Sequence, residues 1–148
     1  MSAPPIDWPQ IVPFAVGQTL AFRVTWLLAA LDGSAEVLEN GGPRLRLAFT
    51  SPEQRVLGRR IPRAVFVFGF ESRAGGRGEA VLEIDGDAHA DRDAVLRRQG
   101  RDVRADMAGP KGERLAFVIA PQGAKRVVLN KIAGTKVPPG ARGTLISR

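Results

Sequence analysis

Asp85, Asp87, His89, Asp91 and Asp93 stand at alternate positions of one short run. On an extended chain all five side chains share a side. Four carboxylates and an imidazole form a donor set that could hold a divalent cation, so these residues are the weak candidates for a metal site. The spacing departs from the calcium-loop pattern, which needs Gly at the sixth place and Glu at the twelfth. Counted from Asp85 those places hold Ala90 and Leu96, and counted from Asp87 they hold Arg92 and Arg98. The favoured reading is an exposed turn that runs into a helix N-terminus, where aspartates belong, with no metal.

His89 is the only histidine. A Ser–His–acid arrangement would set it beside one of five serines, none of which lies in a Gly-x-Ser-x-Gly elbow. With no Cys and no Tyr, the remaining acid–base groups are carboxylates and lysines, and no pair of them announces a site. Gly134-Thr135-Lys136 carries letters of a phosphate loop in the wrong order, and the dinucleotide fingerprint is absent. The chain reads as a non-enzyme, and no cofactor is expected. Without cysteine it has no disulfide framework and no thiolate metal site.

The net charge of +7 is unevenly placed. Residues 1–96 hold 10 basic and 12 acidic groups, whereas residues 97–148 hold 12 basic and 3 acidic groups. Arg97, Arg98, Arg101, Arg104, Lys125, Arg126, Lys131 and Lys136 are therefore the candidate contacts to a polyanion or an acidic partner. Such groups would touch phosphates without reading sequence. Phe117 is the only aromatic of that third, and its alternation points inward, so the stacking platforms of single-strand readers are missing. The favoured reading is a solvated basic face, with nonspecific polyanion contact left open. Arg73-Ala-Gly-Gly-Arg77-Gly reads as a hairpin loop rather than an RNA-binding element.

These groups must be held by a core. At 148 residues one domain is expected, burying roughly 70% of its unfolded surface. Leu20, Phe22, Val24, Trp26 and Leu28 alternate with Ala21, Arg23, Thr25 and Leu27, which predicts a strand with its even-numbered face inward. Asp32-Gly33 reads as a turn, Ser34 to Glu39 as the hairpin partner, and Asn40-Gly41-Gly42-Pro43 as a second turn. Arg44 to Phe49 is a half-buried strand. Ser51-Pro52-Glu53-Gln54 reads as a helix start, with Gly58 as its stop, or as a surface loop. Ala64 to Phe70 reads as a strand buried on both faces, and Glu79 to Asp85 as its return with Ala80, Leu82 and Ile84 inward. Asp91 to Gln99 carries helix signals: aspartates at the start, Arg97 and Arg98 near the end, Gly100 after it. Strands follow over Arg114 to Ala120, Val127 to Ile132 and Thr144 to Ser147, with Arg101 to Ala105 a short strand or an extension.

Residues 1–13 carry four prolines, which favour an extended arm and deny it a helix. Its apolar Ile6, Trp8 and Ile11 must pack on the body or on a neighbouring subunit. Residues 14–148 form the single β-rich domain. No run approaches a membrane span, and the opening lacks the basic and apolar regions of a signal peptide, so the expected location is the cytoplasm or a virion.

Phe14-Ala-Val16-Gly17-Gln18-Thr-Leu20-Ala-Phe22-Arg-Val24-Thr-Trp26, followed by Gly33-Ser-Ala35, resembles the opening of a bacterial family of exported β-rich domains of unassigned function. That family's pattern has Glu and Tyr where this chain has Gln18 and Phe22. The resemblance covers residues 13–35. It implies a β fold and export to the periplasm with a signal removed, and supplies no catalytic residues.

The expected fold is mainly β: an antiparallel β-sandwich or open barrel with one or two short helices. The expected function is a non-catalytic binding domain engaging a protein partner or an apolar ligand. The alternative is a structural subunit of a phage-like particle, whose arm of Ile6, Trp8 and Ile11 clasps a neighbour while the basic third faces a polyanion.

Overall fold

A computed structural model describes residues 3–26, 29–133 and 142–147. The architecture is mainly β and antiparallel, and it closes completely. Ten strands form one barrel, in the order β1-β12-β11-β10-β9-β8-β7-β6-β3-β2. The strands are β1 (Thr19–Trp26), β2 (Ala29–Gly41), β3 (Arg44–Ser51), β6 (Ala64–Arg73), β7 (Arg77–Ile84), β8 (Asp87–Gln99), β9 (Asp102–Ala108), β10 (Arg114–Pro121), β11 (Arg126–Ala133) and β12 (Arg142–Ser147). A separate two-stranded hairpin, β4 (Gln54–Val56) and β5 (Arg59–Ile61), interrupts the walk between β3 and β6. The mainly β expectation holds, with full closure of the barrel in place of an open one. Closure follows from β1 pairing on both sides, Phe22 with Gly33 on β2 and with Leu145 on β12.

The wall obeys the period of two. Leu20, Phe22 and Val24 face inward as expected, joined by Leu45, Leu47 and Phe49, by Leu82, and by Phe117 and Ile119. Charged residues such as Arg23, Arg44 and Arg46 face out. Apolar inside and charged outside is the reverse of a lipid-spanning barrel. Leu27 and Leu28 lie outside the described residues, as does the side chain of Trp26. Among the described residues no helix is long and apolar enough to cross a membrane.

Several local expectations are corrected. Asp91 to Gln99 is not a helix but part of β8, with Ala94 and Leu96 buried on one face. The flanking charges and Gly100 that resemble helix caps instead bound a strand, and Gly100 takes φ +66° in the next turn. Ser51 ends β3, and the segment after it forms the β4–β5 hairpin rather than a helix. Asp32-Gly33 lies inside β2. Gly33 is there for close approach, since a Cβ at that place would sit 2.5 Å from the Thr50 carbonyl oxygen. In β6 Phe66, Phe68, Phe70 and Ser72 point inward while Val65 and Val67 on the other face stay half-buried, so the strand is not buried on both faces.

The arm also departs from expectation. Trp8–Ile11 forms a four-residue helix, α1, with Pro9 in its first turn where no amide donor is needed. Ile6, Trp8 and Ile11 are buried in the barrel's own core, so these side chains are not free to clasp a neighbour. The Trp8 indole stacks on Phe70 at 5.6 Å, and its Nε1 donates to the Pro43 carbonyl at 2.9 Å. Asn40 Nδ2 donates to the carbonyls of Val12 and Phe14 at 2.7 and 2.9 Å, and the Ile6 amide donates to Ser72 Oγ at 2.8 Å. The arm is thus a plug across the barrel end that carries the β2–β3, β6–β7 and β8–β9 turns.

Candidate functional site: an apolar lumen open at one end

Among the described residues no comparable plug crosses the opposite end. A cavity of about 590 Å³ runs through the lumen above the plug. Its floor is Val12, Leu45, Phe70, Val127 and Leu145, and its walls include Phe22, Leu47, Phe49, Phe66, Phe68, Leu82, Phe117 and Leu129. Val24, Leu31, Ile84, Pro110, Lys111 and Glu113 line it toward the unplugged end. Among the described residues, Lys111 and Glu113, in the β9–β10 turn, are the only charged residues of the lining, and the Lys111 amide donates to Glu113 Oε2 at 2.9 Å.

Strand number makes the room. Barrel diameter grows with the number of strands, and eight leave an interior that side chains just fill or that holds one small ligand. Ten strands give a lumen about a quarter wider. Phenylalanines reach into that space as a connected set. Phe22 meets Phe49 with ring centroids 4.8 Å apart, Phe49 meets Phe68 at 5.5 Å, and Phe68 meets Phe117 at 6.0 Å. Three strands stand between β6 and β10, so the Phe68–Phe117 contact crosses the lumen. Phe22, Phe66, Phe68, Phe117 and Leu129 face inward yet stay only partly buried. Apolar groups turned inward and left uncovered are the surface a ligand would cover.

The rim is stitched by the acidic run. Asp85 and Gly86 form the β7–β8 turn, with φ +48° and +93°, and Asp85 Oδ1 accepts the Val65 amide at 3.0 Å. The β8–β9 ladder begins only at Val95, opposite Asp106. From that start toward the rim the strands part, and side chains take over. His89 Nε2 bonds the Ala108 carbonyl at 2.8 Å, and Asp91 Oδ2 accepts the Ala108 amide at 2.8 Å. A bulge in β8 opposite Gly78–Ala80 then puts Asp93 out of phase with Asp91. The favoured expectation of a turn entering a helix is therefore corrected: the run is a turn and a strand, with two side chains standing in for a missing ladder. Among the described residues no group of three or more His, Cys, Asp or Glu could hold a metal.

The basic candidates are dispersed over the outer wall and the plugged end. Arg97 lies directly opposite Arg104. With Val95, Gln99, Asp106 and Arg114 they line an outer cleft of about 330 Å³. Arg104 Nε donates to Asp106 at 3.0 Å and Arg114 to the same carboxylate at 3.1 Å. Burial pushes the Asp106 carboxyl up, but the two guanidiniums outweigh it and hold it below the usual carboxylate range. Arg98 reaches down to Gln10 of the plug at 3.2 Å. Arg101, Lys125 and Arg126 are exposed in turns or at a strand start, whereas Lys136 and the side chain of Lys131 lie outside the described residues. Among the described residues, the basic candidates therefore do not converge on the lumen.

The hairpin at the open end escaped sequence reading. Gln54 anchors it to β2: its Oε1 accepts the Asp32 amide at 3.1 Å and its Nε2 donates to the Asp32 carbonyl at 2.8 Å. Ser51 and Phe66, just outside the two ends of this insertion, line the cavity. The signal was available in Val56-Leu57-Gly58-Arg59, a two-residue turn flanked by short strands, although Leu is a poor residue for it. Comparison with known protein families, with curated proteins and with solved structures finds no match for this chain.

Proposed function

We propose that the chain is a non-catalytic binding domain that takes an apolar ligand into the barrel lumen. The observation that carries this is the lining: six phenylalanines and a ring of aliphatic side chains around about 590 Å³, with charge among the described residues confined to Lys111 and Glu113. The volume falls within the range of small-molecule sites, roughly 300–1,000 Å³. Among the described residues no cation lies deep in the lining to neutralise a buried acid group. The ligand class is accordingly neutral and hydrocarbon-rich inside, with any polar group left at the mouth.

Titration with a neutral naphthylamine dye tests the reading. Dye fluorescence rises on binding and is displaced by long-chain alcohols. Val24→Trp fills the upper lumen and weakens binding at least tenfold, while Arg126→Gln on the outside leaves it unchanged. Dye binding that ignores Val24→Trp in a folded protein would place the dye elsewhere and refute the proposal.

A further inference from the structure

We infer that the β4–β5 hairpin is a docking finger for an anionic lipid bilayer, set at the mouth through which the ligand enters. For its purpose this rests on the lumen reading, but its own evidence is separate. Leu57 is 76% exposed, the highest value among the exposed large apolar side chains described. It also has φ +50°, followed by Gly58 at +78°. Two successive positive φ angles mark the tight hairpin turn that Asn, Asp or Gly fill at little strain, whereas a branched apolar side chain is penalised there. The molecule provides its own control: at the β7–β8 turn the same pair of positive angles is taken by Asp85-Gly86. A strained, exposed leucine that contributes nothing to folding points to a use outside the fold.

The arginines name the partner. Residues 52–63 carry Arg55, Arg59, Arg60 and Arg63 against Glu53 alone. Arg60 pairs with Glu53 at 2.8 Å, and among the described residues the other three make no ion pair. Arg55 and Arg60 are directly opposite each other across the two strands, and Glu53 offsets only one of the two charges. One apolar tip residue with basic groups around it suits the boundary between acyl chains and anionic headgroups. The hairpin's root adjoins Ser51 and Phe66 of the lumen lining, so a finger seated in lipid would bring the mouth against the bilayer.

Co-sedimentation of the full chain with vesicles tests this, using phosphatidylcholine alone and phosphatidylcholine mixed with phosphatidylglycerol. Binding is expected only to the mixed vesicles and falls as salt rises. Leu57→Asn is expected to raise the thermal midpoint or leave it unchanged, while weakening vesicle binding about tenfold. Arg55→Gln and Arg59→Gln each weaken it about fivefold. All three keep the naphthylamine affinity of the parent. No binding to mixed vesicles, or equal binding by Leu57→Asn, overturns the finger. Binding to duplex DNA that matches vesicle binding and ignores Leu57→Asn also overturns it, in favour of a plain polyanion contact. Loss of dye binding with vesicle binding intact would sink the lumen proposal and leave the finger standing.

Discussion

Replacing Trp8 with alanine is the most direct test of the plug. The indole is fully buried, stacks on Phe70 and donates to the Pro43 carbonyl. Truncating a buried aromatic to alanine costs about 3–5 kcal/mol. The lost hydrogen bond adds little beyond that, because the Pro43 carbonyl still accepts the Ser72 amide at 2.8 Å. With a urea dependence of about 2 kcal/mol per molar, the unfolding midpoint should fall by about 2 M. Trp8→Phe keeps most of the volume and the ring contact, and should cost about 1–2 kcal/mol. Both shifts must be independent of protein concentration, since the burial is within one chain. The measurement is urea unfolding followed by circular dichroism at two concentrations far apart, with light scattering for mass. A Trp8→Ala cost under about 1 kcal/mol, or a midpoint that climbs with concentration, would refute an intramolecular plug and return the arm to a neighbouring subunit.

Further outcomes follow from other contacts. Gly78→Ala should destabilise by about 1–3 kcal/mol, because a Cβ there would lie 2.5 Å from the Glu71 carbonyl oxygen and from Leu96 Cδ1; urea unfolding checks it. Gly33→Ala should behave alike, and a neutral result at both places would mean the wall relaxes freely. Asp106 and Asp32 both have carboxyls held below the usual range, Asp106 by Arg104 and Arg114 against its burial, Asp32 by the hydrogen bond from Arg23. Their contribution is present above about pH 4 and is lost as pH falls through the lower folded values. Asp106→Asn should remove part of that acid sensitivity, at a cost below about 1 kcal/mol at neutral pH, read from urea midpoints across an acid series. Vesicle and dye titrations of Leu57→Asn and Val24→Trp complete the set.

Side-chain alternation was legible, and connectivity was not. Leu20, Phe22 and Val24, or Ala80 and Leu82, announce their inward face through a period of two that any sheet imposes. Whether the sheet closes depends on β1 meeting β12, a pairing between residues more than a hundred positions apart with no local signature. Local punctuation can mislead for the same reason. Asp-Gly occurs at 32–33 and at 85–86; the second is a turn, while the first is strand interior where Thr50 crowds out a side chain. In β8, charges that suit helix ends lost to neighbouring strands offering Ala94 and Leu96 a buried face. Lumen residues could be recognised as core, but not as the lining of an unfilled space, because that depends on there being ten strands rather than eight. Leu57 was hidden inside a segment read as a helix start or a loop.

Pairing of β1 with β12 has a bearing on biosynthesis. Leu20 cannot gain its second neighbour until Ser147 has left the ribosome, so β1 and the strand most recently made remain raw edges throughout elongation. A nascent chain in that state is a target for chaperones and a seed for aggregation. Loss of residues 142–147 by a premature stop would leave β1 and β11 permanently uncapped. The bond from Gln18 Nε2 to Ser147 Oγ, at 2.7 Å, fastens this seam only once both strands are in place.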